Sequence, residues 1–431
     1  MKFYSTNNSK HLVSIREAVI NGLAADNGLY MPEKIPILPS GFFNSLAEKS
    51  FWEIAFAVAK EFVKEDISNE QLRKIIDHTI TFDAPLIEVE KNIFALELFR
   101  GPTLAFKDFG ARFMSQLLGH FASQENREIL ILVATSGDTG SAVANGFLGV
   151  PGTRVVVLYP SGKVSEIQEK QFTTLGKNIV AVEVNGTFDD CQRLVKLAFL
   201  DQELKESFFL TSANSINIAR LIPQSFYYFY ACSRLPKNKN TVFSIPSGNF
   251  GNLTAGLIAK KMGLPIQHFV AATNINDIVP HYLATKEFSA KLSVSTISNA
   301  MDVGNPSNFS RILDLFHNDY SAIKNEITGY SFTDEETRTA MRAVFKKFNY
   351  LLDPHGAIGY LGLKKYQTQN PENVGVFLET AHPAKFLDVV ESTLQTKIPI
   401  PDELQFFLSR EKTTIACESD FGSFKSLLKQ I

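Results

Sequence analysis

An open α/β fold built on parallel sheets is predicted for this 431-residue chain, and three observations predict it. From residue 86 onward, apolar runs of strand length alternate with amphipathic runs of helical length, the pattern of a parallel sheet covered by helices. The strand-length runs are nearly continuous in apolar residues, Ile129–Ala134 for example, as strands buried on both faces require. Glycine-bearing loops follow several of these strands and precede helices, where open parallel sheets bind their ligands.

The bulk properties narrow the class. At this length the chain holds two or more domains. Hydrophobic residues make up 45% and charged residues 20%, with a formal net charge of -2. That balance gives no electrostatic case for a nucleic-acid or polybasic membrane partner. Cys191, Cys232 and Cys417 lie far apart without CxxC spacing, which suggests reduced thiols in a cytoplasmic protein. The eight histidines show no metal-ligand spacing. Met1–His11 lacks the apolar core of a signal peptide, and no apolar run is long enough to span a bilayer.

In order, residues 1–95 read as a mainly helical N-terminal domain. Ser14 and Glu17 form a capping box that opens a helix to about Leu23. Asp26-Asn27-Gly28 is a turn, and Leu29–Pro39 a proline-punctuated loop. Phe42–Val63 carries helical spacing through Trp52, Ile54, Ala55, Val58 and Phe62, and Asn69–Ile80 forms another helix. Strands follow at Leu86–Val89 and Ile93–Phe99, then helix Phe109–Phe121, strand Glu128–Ala134 and helix Ser141–Leu148. Strand Arg154–Tyr159, helix Val164–Leu175, strand Asn178–Val184 and helix Phe188–Leu204, capped by Thr187, continue the alternation. Asn217–Leu235 reads as a helix, Thr241–Ile245 as a strand, Leu253–Met262 as a helix and Gln267–Ala272 as a strand. Residues 274–310 resist assignment; within them Asn299–Asn308 is rich in turn formers. Thr333 with Glu336 caps helix Glu335–Phe348, and Pro354 starts a helix whose Gly356, Gly359 and Gly362 allow close packing. Strand Val374–Leu378 and helix Ala384–Leu394 complete the pattern.

Chemistry concentrates in the loops. Lys107 lies at a strand-to-helix junction in Gly101-Pro102-Thr103-Leu104-Ala105-Phe106-Lys107-Asp108. Such a lysine either pairs with a carboxylate such as Asp108, or is a desolvated amine that forms a Schiff base with a cofactor aldehyde. Thr135-Ser136-Gly137-Asp138-Thr139-Gly140 is either a capped helix start or a nest for an anion. Ser247-Gly248-Asn249-Phe250-Gly251-Asn252 suits a phosphate held without lysine, or is a tight turn; it matches neither GxGxxG nor the P-loop. Thr380 and His382 end the last strand, and His382 before Pro383 reads as a local capping histidine. Asn214, Ser215 and Arg220 form a second anion pocket or an ordinary helix start. A lysine, a lysine-free phosphate cradle and a second oxyanion site together fit pyridoxal 5'-phosphate, a cofactor with one aldehyde and one phosphate.

The same stretches carry a resemblance. Gly-Pro-Thr-Leu-Ala-Phe-Lys107-Asp-Phe, Ala-Thr-Ser-Gly-Asp138-Thr-Gly, Ser-Gly-Asn-Phe-Gly-Asn252, Asn-Ala-Met-Asp-Val-Gly-Asn-Pro-Ser-Asn308 and Glu-Thr380-Ala-His-Pro-Ala-Lys-Phe resemble the bacterial and fungal branch of the threonine synthase family, within the fold-type II pyridoxal phosphate enzymes. The resemblance runs from Tyr4 to Phe386. It implies a helical N-terminal domain over 1–95, a large cofactor-binding α/β domain over 96–110 and 215–431, and a small α/β domain over 111–214. It implies that Lys107 is the Schiff-base lysine, that Gly248, Asn249, Phe250, Gly251 and Asn252 hold the cofactor phosphate, and that Thr380 meets the pyridine nitrogen. Asp138 is implied near the cofactor's 3' oxygen, where a second anion needs a proton or a different orientation. Thr135, Ser136 and Thr139 are implied at the substrate, with Asn214, Ser215 and Arg220 gripping its phosphate. The implied reaction converts O-phospho-L-homoserine and water to L-threonine and phosphate. A phospholyase releasing 2-oxobutanoate, ammonia and phosphate is the near alternative, and a non-catalytic phosphate-binding protein the distant one. The expected partner is this small substrate, with no nucleic acid or membrane, in a monomer or weak homo-oligomer.

Overall fold

The computed structural model describes residues 1–123, 128–236 and 239–431. Fourteen strands among them form three sheets. The first is a small antiparallel sheet of β1 (Phe3–Ser5), β2 (Asn8–Val13) and β3 (Tyr30–Pro32). Next along the chain come β4 (Leu86–Glu90), β5 (Ile93–Glu97), β6 (Ile129–Ala134), β7 (Thr153–Pro160), β8 (Ile179–Asn185) and β9 (Phe209–Ser212). Then follow β10 (Thr241–Pro246), β11 (His268–Thr273), β12 (Ile327–Ser331), β13 (Val374–Glu379) and β14 (Ile415–Glu418).

The two large sheets are the parallel sheets expected. One has six strands in the order β12-β11-β10-β13-β5-β4, with only the β4–β5 edge antiparallel. The other has five, β14-β8-β7-β6-β9, all parallel. Strands β6, β10 and β13 are buried at every residue, because helices cover both faces of each sheet.

Local signals placed most helices. The capping boxes at Ser14/Glu17 and Thr333/Glu336 are formed, and Thr187 caps its helix through Asp190. The span Phe42–Val63 differs from expectation: it breaks into Ser40–Asn44, a 3-10 turn at Leu46–Glu48 and the helix Phe51–Val63. A second capping box, Ser50 with Glu53, starts that helix afresh. Asn217–Leu235 likewise divides into Ile218–Leu221, Ile222–Ser225 and Phe226–Arg234, because Pro223 supplies no N–H to the ladder. Asp201 caps a separate helix, Gln202–Ser207, so the helix from Phe188 ends at Leu200.

The N-terminal region holds a sheet that its polar sequence hides: five of the six residues of β2 are exposed. Strand β14 lies beyond the last element expected, and it pairs with β8. Residues 415–418 therefore belong to the five-stranded sheet, although the sequence groups them with the other. Residues 274–310 fold into the helix Ile278–Thr285, a 3-10 turn at Asn299–Met301 and the start of the helix Phe309–Leu315. Asp302 organises the loop by accepting from Thr296 Oγ1 (2.7 Å) and Asn274 Nδ2 (2.8 Å). The helix Pro354–Gln367 packs through its glycines: a Cβ at Gly362 would lie 2.8 Å from Ser244 Oγ on β10. Among the described residues no helix is long and apolar enough to cross a membrane.

Candidate active site

Strands β10, β13 and β5 are neighbours and all parallel, so the loops after them share one edge of the sheet. Those loops carry Gly248–Asn252, Thr380 and Lys107. The Lys107 loop is stitched to the Thr380 segment by backbone bonds: Phe106 N–H donates to Thr380 O (2.8 Å) and His382 N–H to Leu104 O (3.0 Å). Leu104 adopts a left-handed conformation, with φ of 54°, uncommon for a leucine. It turns the chain so that Lys107 opens the helix Lys107–Ala122.

Asp108 is not the partner of Lys107. Its buried carboxylate accepts from Thr103 Oγ1 (2.6 Å) and Thr103 N–H (2.9 Å), and a Cβ at Gly101 would lie 2.4 Å from it. Asp108 thus braces the loop. The carboxylate near Lys107 is Asp138, whose Oδ2 is 3.7 Å from Nζ. Burial pushes the Lys107 pKa below the usual lysine range; Asp138 opposes that, while Lys385 and Arg220 reinforce it.

Asp138 opens the helix Asp138–Phe147, after β6 of the other sheet. Its Oδ1 accepts from Lys385 Nζ (2.6 Å) and Gln168 Nε2 (2.8 Å). Burial alone would raise its pKa, but Lys385 and Lys107 outweigh burial and hold it well below the usual carboxylate range. The two lysines thus favour the ionised carboxylate. Thr135 is held within its own turn. Its hydroxyl accepts from the N–H groups of Gly137 (2.9 Å) and Gly140 (2.8 Å) and donates to Gly137 O (3.0 Å). It is spent within the turn and builds the loop, leaving Ser136 and Thr139 half-buried beside it.

The loop after β10 is a backbone cradle. Phe250 has φ of 61° and precedes the helix Gly251–Lys261. A left-handed residue at a helix start turns successive N–H groups toward one side, and the first-turn N–H groups have no helical carbonyl to bond. Asn252 points away, its amide donating to Pro246 O (2.9 Å). A Cβ at Gly248 would lie 2.7 Å from Ala300 O, so only glycine fits beneath the Asn299–Met301 turn.

The Asn214–Arg220 segment meets this cradle directly. Asn249 Nδ2 donates to Ser215 Oγ (2.6 Å), while Asn249 Oδ1 accepts from the Ser307 N–H (2.6 Å) and hydroxyl (3.0 Å). Arg220 is buried, with one Nη donating to Ala213 O and Nε unpaired. Burial lowers its pKa to about 10, still cationic at neutral pH. Asn214 Oδ1 is also buried and unpaired. A buried guanidinium with a free donor, and with the Asp108 carboxylate near but held by Thr103, suits an anion. Lysine amine, backbone cradle and spare guanidinium together fit pyridoxal phosphate and a phosphorylated substrate.

Three residues here were not singled out from sequence. Lys385 and Gln168 both bind Asp138. Arg311, fully buried, donates to Tyr30 O (3.0 Å), Ile216 O (2.7 Å) and Asn308 Oδ1 (2.6 Å), joining β3 to the segment that carries Asn214 and Arg220. Lys385 carried the same signal as Lys107, a lysine set among apolar residues after a strand. His382 caps the following turn, accepting from Ala384 N–H (3.1 Å), and burial lowers its pKa to about 4.

The chain matches three family models: "Threonine synthase N terminus" over residues 2–80, "Pyridoxal-phosphate dependent enzyme" over 75–380 and "Threonine synthase, C-terminal" over 356–428. It is 46% identical to the threonine synthase of Haemophilus influenzae over 430 residues, 99% of each chain. The crystal structure of threonine synthase from Escherichia coli superposes with a TM-score of 0.93 at 42% identity, covering 100% of both chains. The pyridoxal-phosphate-bound threonine synthase of Brucella melitensis superposes with a TM-score of 0.94 at 33% identity, covering 100% of this chain and 99% of that one.

Proposed function

The chain belongs to the threonine synthase family of pyridoxal phosphate enzymes, and from that premise we propose how its residues divide the conversion of O-phospho-L-homoserine and water to L-threonine and phosphate. Lys107 is the amine that takes the cofactor aldehyde. The backbone from Gly248 to Asn252 holds the cofactor phosphate, and Thr380 faces the pyridine nitrogen. Bound there, pyridoxal phosphate withdraws electrons from the substrate and acidifies its Cα–H bond. A hydroxyl at Thr380, unlike a carboxylate, leaves that nitrogen without a counter-charge.

Lys107 moves the protons. Once free, its amine takes the proton from Cα and one from Cβ in turn, delivers one to Cγ after the phosphate has left, which makes the methyl group, and returns one to Cα after water has added its hydroxyl at Cβ; the remaining proton of that water leaves with the phosphate. Phosphate departs from Cγ toward Arg220, which with Asn214 and Ser215 grips its oxygens. Water adds at Cβ. Ser136 and Thr139 meet the substrate carboxylate at the start of the helix Asp138–Phe147, where N–H groups favour an anion.

The observation that carries this reading is the convergence of the β5, β13 and β10 loops on one sheet edge, with Lys107's pKa lowered by burial. Replacing Lys107 with alanine abolishes turnover and the visible absorption of bound cofactor, and borohydride no longer fixes cofactor to the chain. Full activity with an unchanged spectrum would refute the assignment. Assay of threonine against 2-oxobutanoate separates the synthase from a phospholyase. The enzyme works in the cytoplasm as a monomer or weak homo-oligomer, with its domains divided near residues 95, 110 and 214; sedimentation checks the first point and limited proteolysis the second.

A further inference from the structure

We propose that Lys385 is a positioning residue: it claims the Asp138 carboxylate and thereby leaves Lys107 as the lysine without its proton. Two lysines and one carboxylate share this space. Lys385 has a side chain 0% exposed, and its Nζ lies 2.6 Å from Asp138 Oδ1 and 2.8 Å from Thr103 O. Lys107 is 16% exposed, and its Nζ is 3.7 Å from the other oxygen, Oδ2. Of the two lysine contacts with this carboxylate, only that of Lys385 is within hydrogen-bond distance. Gln168 braces the same Oδ1 (2.8 Å), and Gln171 Nε2 braces the same Thr103 carbonyl (3.0 Å).

The surrounding charges point the same way. Lys107 feels Asp138, Lys385 and Arg220; two of the three are cations that disfavour a third. Lys385 feels Asp138 and, further off, Asp108 and His382. The Asp108 carboxylate is taken up by Thr103. Charging both lysines would leave two buried cations against one anion beside a buried arginine. The geometry gives the charge to Lys385, which has the short contact, and the free amine to Lys107, which reacts. The two members of the ion pair come from different sheets, since Lys385 follows β13 and Asp138 follows β6. This inference rests on Lys107 being the cofactor-bearing amine.

The test uses the full-length chain freed of cofactor with hydroxylamine. Trace acetylation with acetic anhydride at successive pH values, read by peptide mass spectrometry, gives the titration midpoint of Lys107. In Lys385→Met, Asp138 has only Lys107 to pair with, so the midpoint rises by about one pH unit or more. In Asp138→Asn the anion is gone and Lys385 remains, so the midpoint falls. Lys385→Arg restores the wild-type profile. An unmoved midpoint in Lys385→Met, with native circular dichroism, overturns the proposal. If Lys385→Met does not fold, an unmoved or raised midpoint in Asp138→Asn overturns it. Borohydride reduction of the holoenzyme separates the two readings: cofactor fixed to another lysine overturns the Lys107 assignment, while cofactor fixed to Lys107 with an unmoved midpoint overturns the role of Lys385.

Discussion

Asn249 and Ser215 are joined by a 2.6 Å hydrogen bond that links the glycine loop after β10 to the segment carrying Arg220. The two regions proposed to hold the cofactor phosphate and the substrate phosphate are therefore one hydrogen-bonded network. Replacing Asn249 with alanine removes this bond and strands the Ser307 N–H that Asn249 Oδ1 accepts. Losing half-buried hydrogen bonds of this kind costs about 1 kcal/mol each. Cofactor retention on dialysis, read by visible absorption, falls and KM rises together. A change in only one of them would show that the regions act separately.

Arg220 lies against Gly110, one turn beyond Lys107; a Cβ there would be 2.9 Å from Nε. Arg220→Lys keeps the charge but loses the planar fork. Steady-state kinetics should show kcat/KM lowered by roughly 10²-fold, the scale for losing one preorganised donor to developing charge. The thermal midpoint should stay near that of the parent.

Gly137 has φ of 141°, and a Cβ there would lie 2.6 Å from the Gln168 side chain. Gly137→Ala therefore meets both backbone strain and a collision, costing about 1–3 kcal/mol. Urea titration measures the loss. Because Gln168 must move from Asp138, the visible spectrum of the holoenzyme shifts as well. A stable variant with an unaltered spectrum would contradict this.

Glu379 is buried beside Asp353, and burial followed by the Asp353 charge raises its pKa well above the ordinary value. The folded state therefore binds a proton that the unfolded chain has released above the usual glutamate range of about 4.3. The contribution to stability is full below that range and declines as pH rises, by up to about 1.4 kcal/mol per pH unit. Glu379→Gln, which cannot ionise, flattens this slope. Denaturant titrations of both proteins at pH values from acid to alkaline check it; parallel slopes would refute it.

Much of this was legible in the chain, for local reasons. Apolar runs such as Ile129–Ala134 announce strands buried on both faces, and Ser14/Glu17 announces a helix start. What escaped depends on partners distant in sequence. Strand β2 is polar and exposed, and it exists because β1 pairs with it. Strand β14 is four residues held by β8. The charge of Asp138 looked wrong beside a cofactor oxygen until Lys385, from the other sheet, was placed on it. Lys107 and Lys385 both follow a strand among apolar residues; their different distances to the Asp138 carboxylate, 3.7 Å and 2.6 Å, depend on the other sheet and are not visible in the sequence.

The strand order also sets a timetable. On the ribosome β5 and β10 emerge well before β13, yet β13 is the strand that lies between them. Strand β14 emerges later still and closes the free edge of β8. Both sheets thus wait for strands made long after their first ones, with long-range pairings that form slowly. A nascent chain that already displays Lys107 has no Thr380 beside it, so the two are brought together only once β13 has been made.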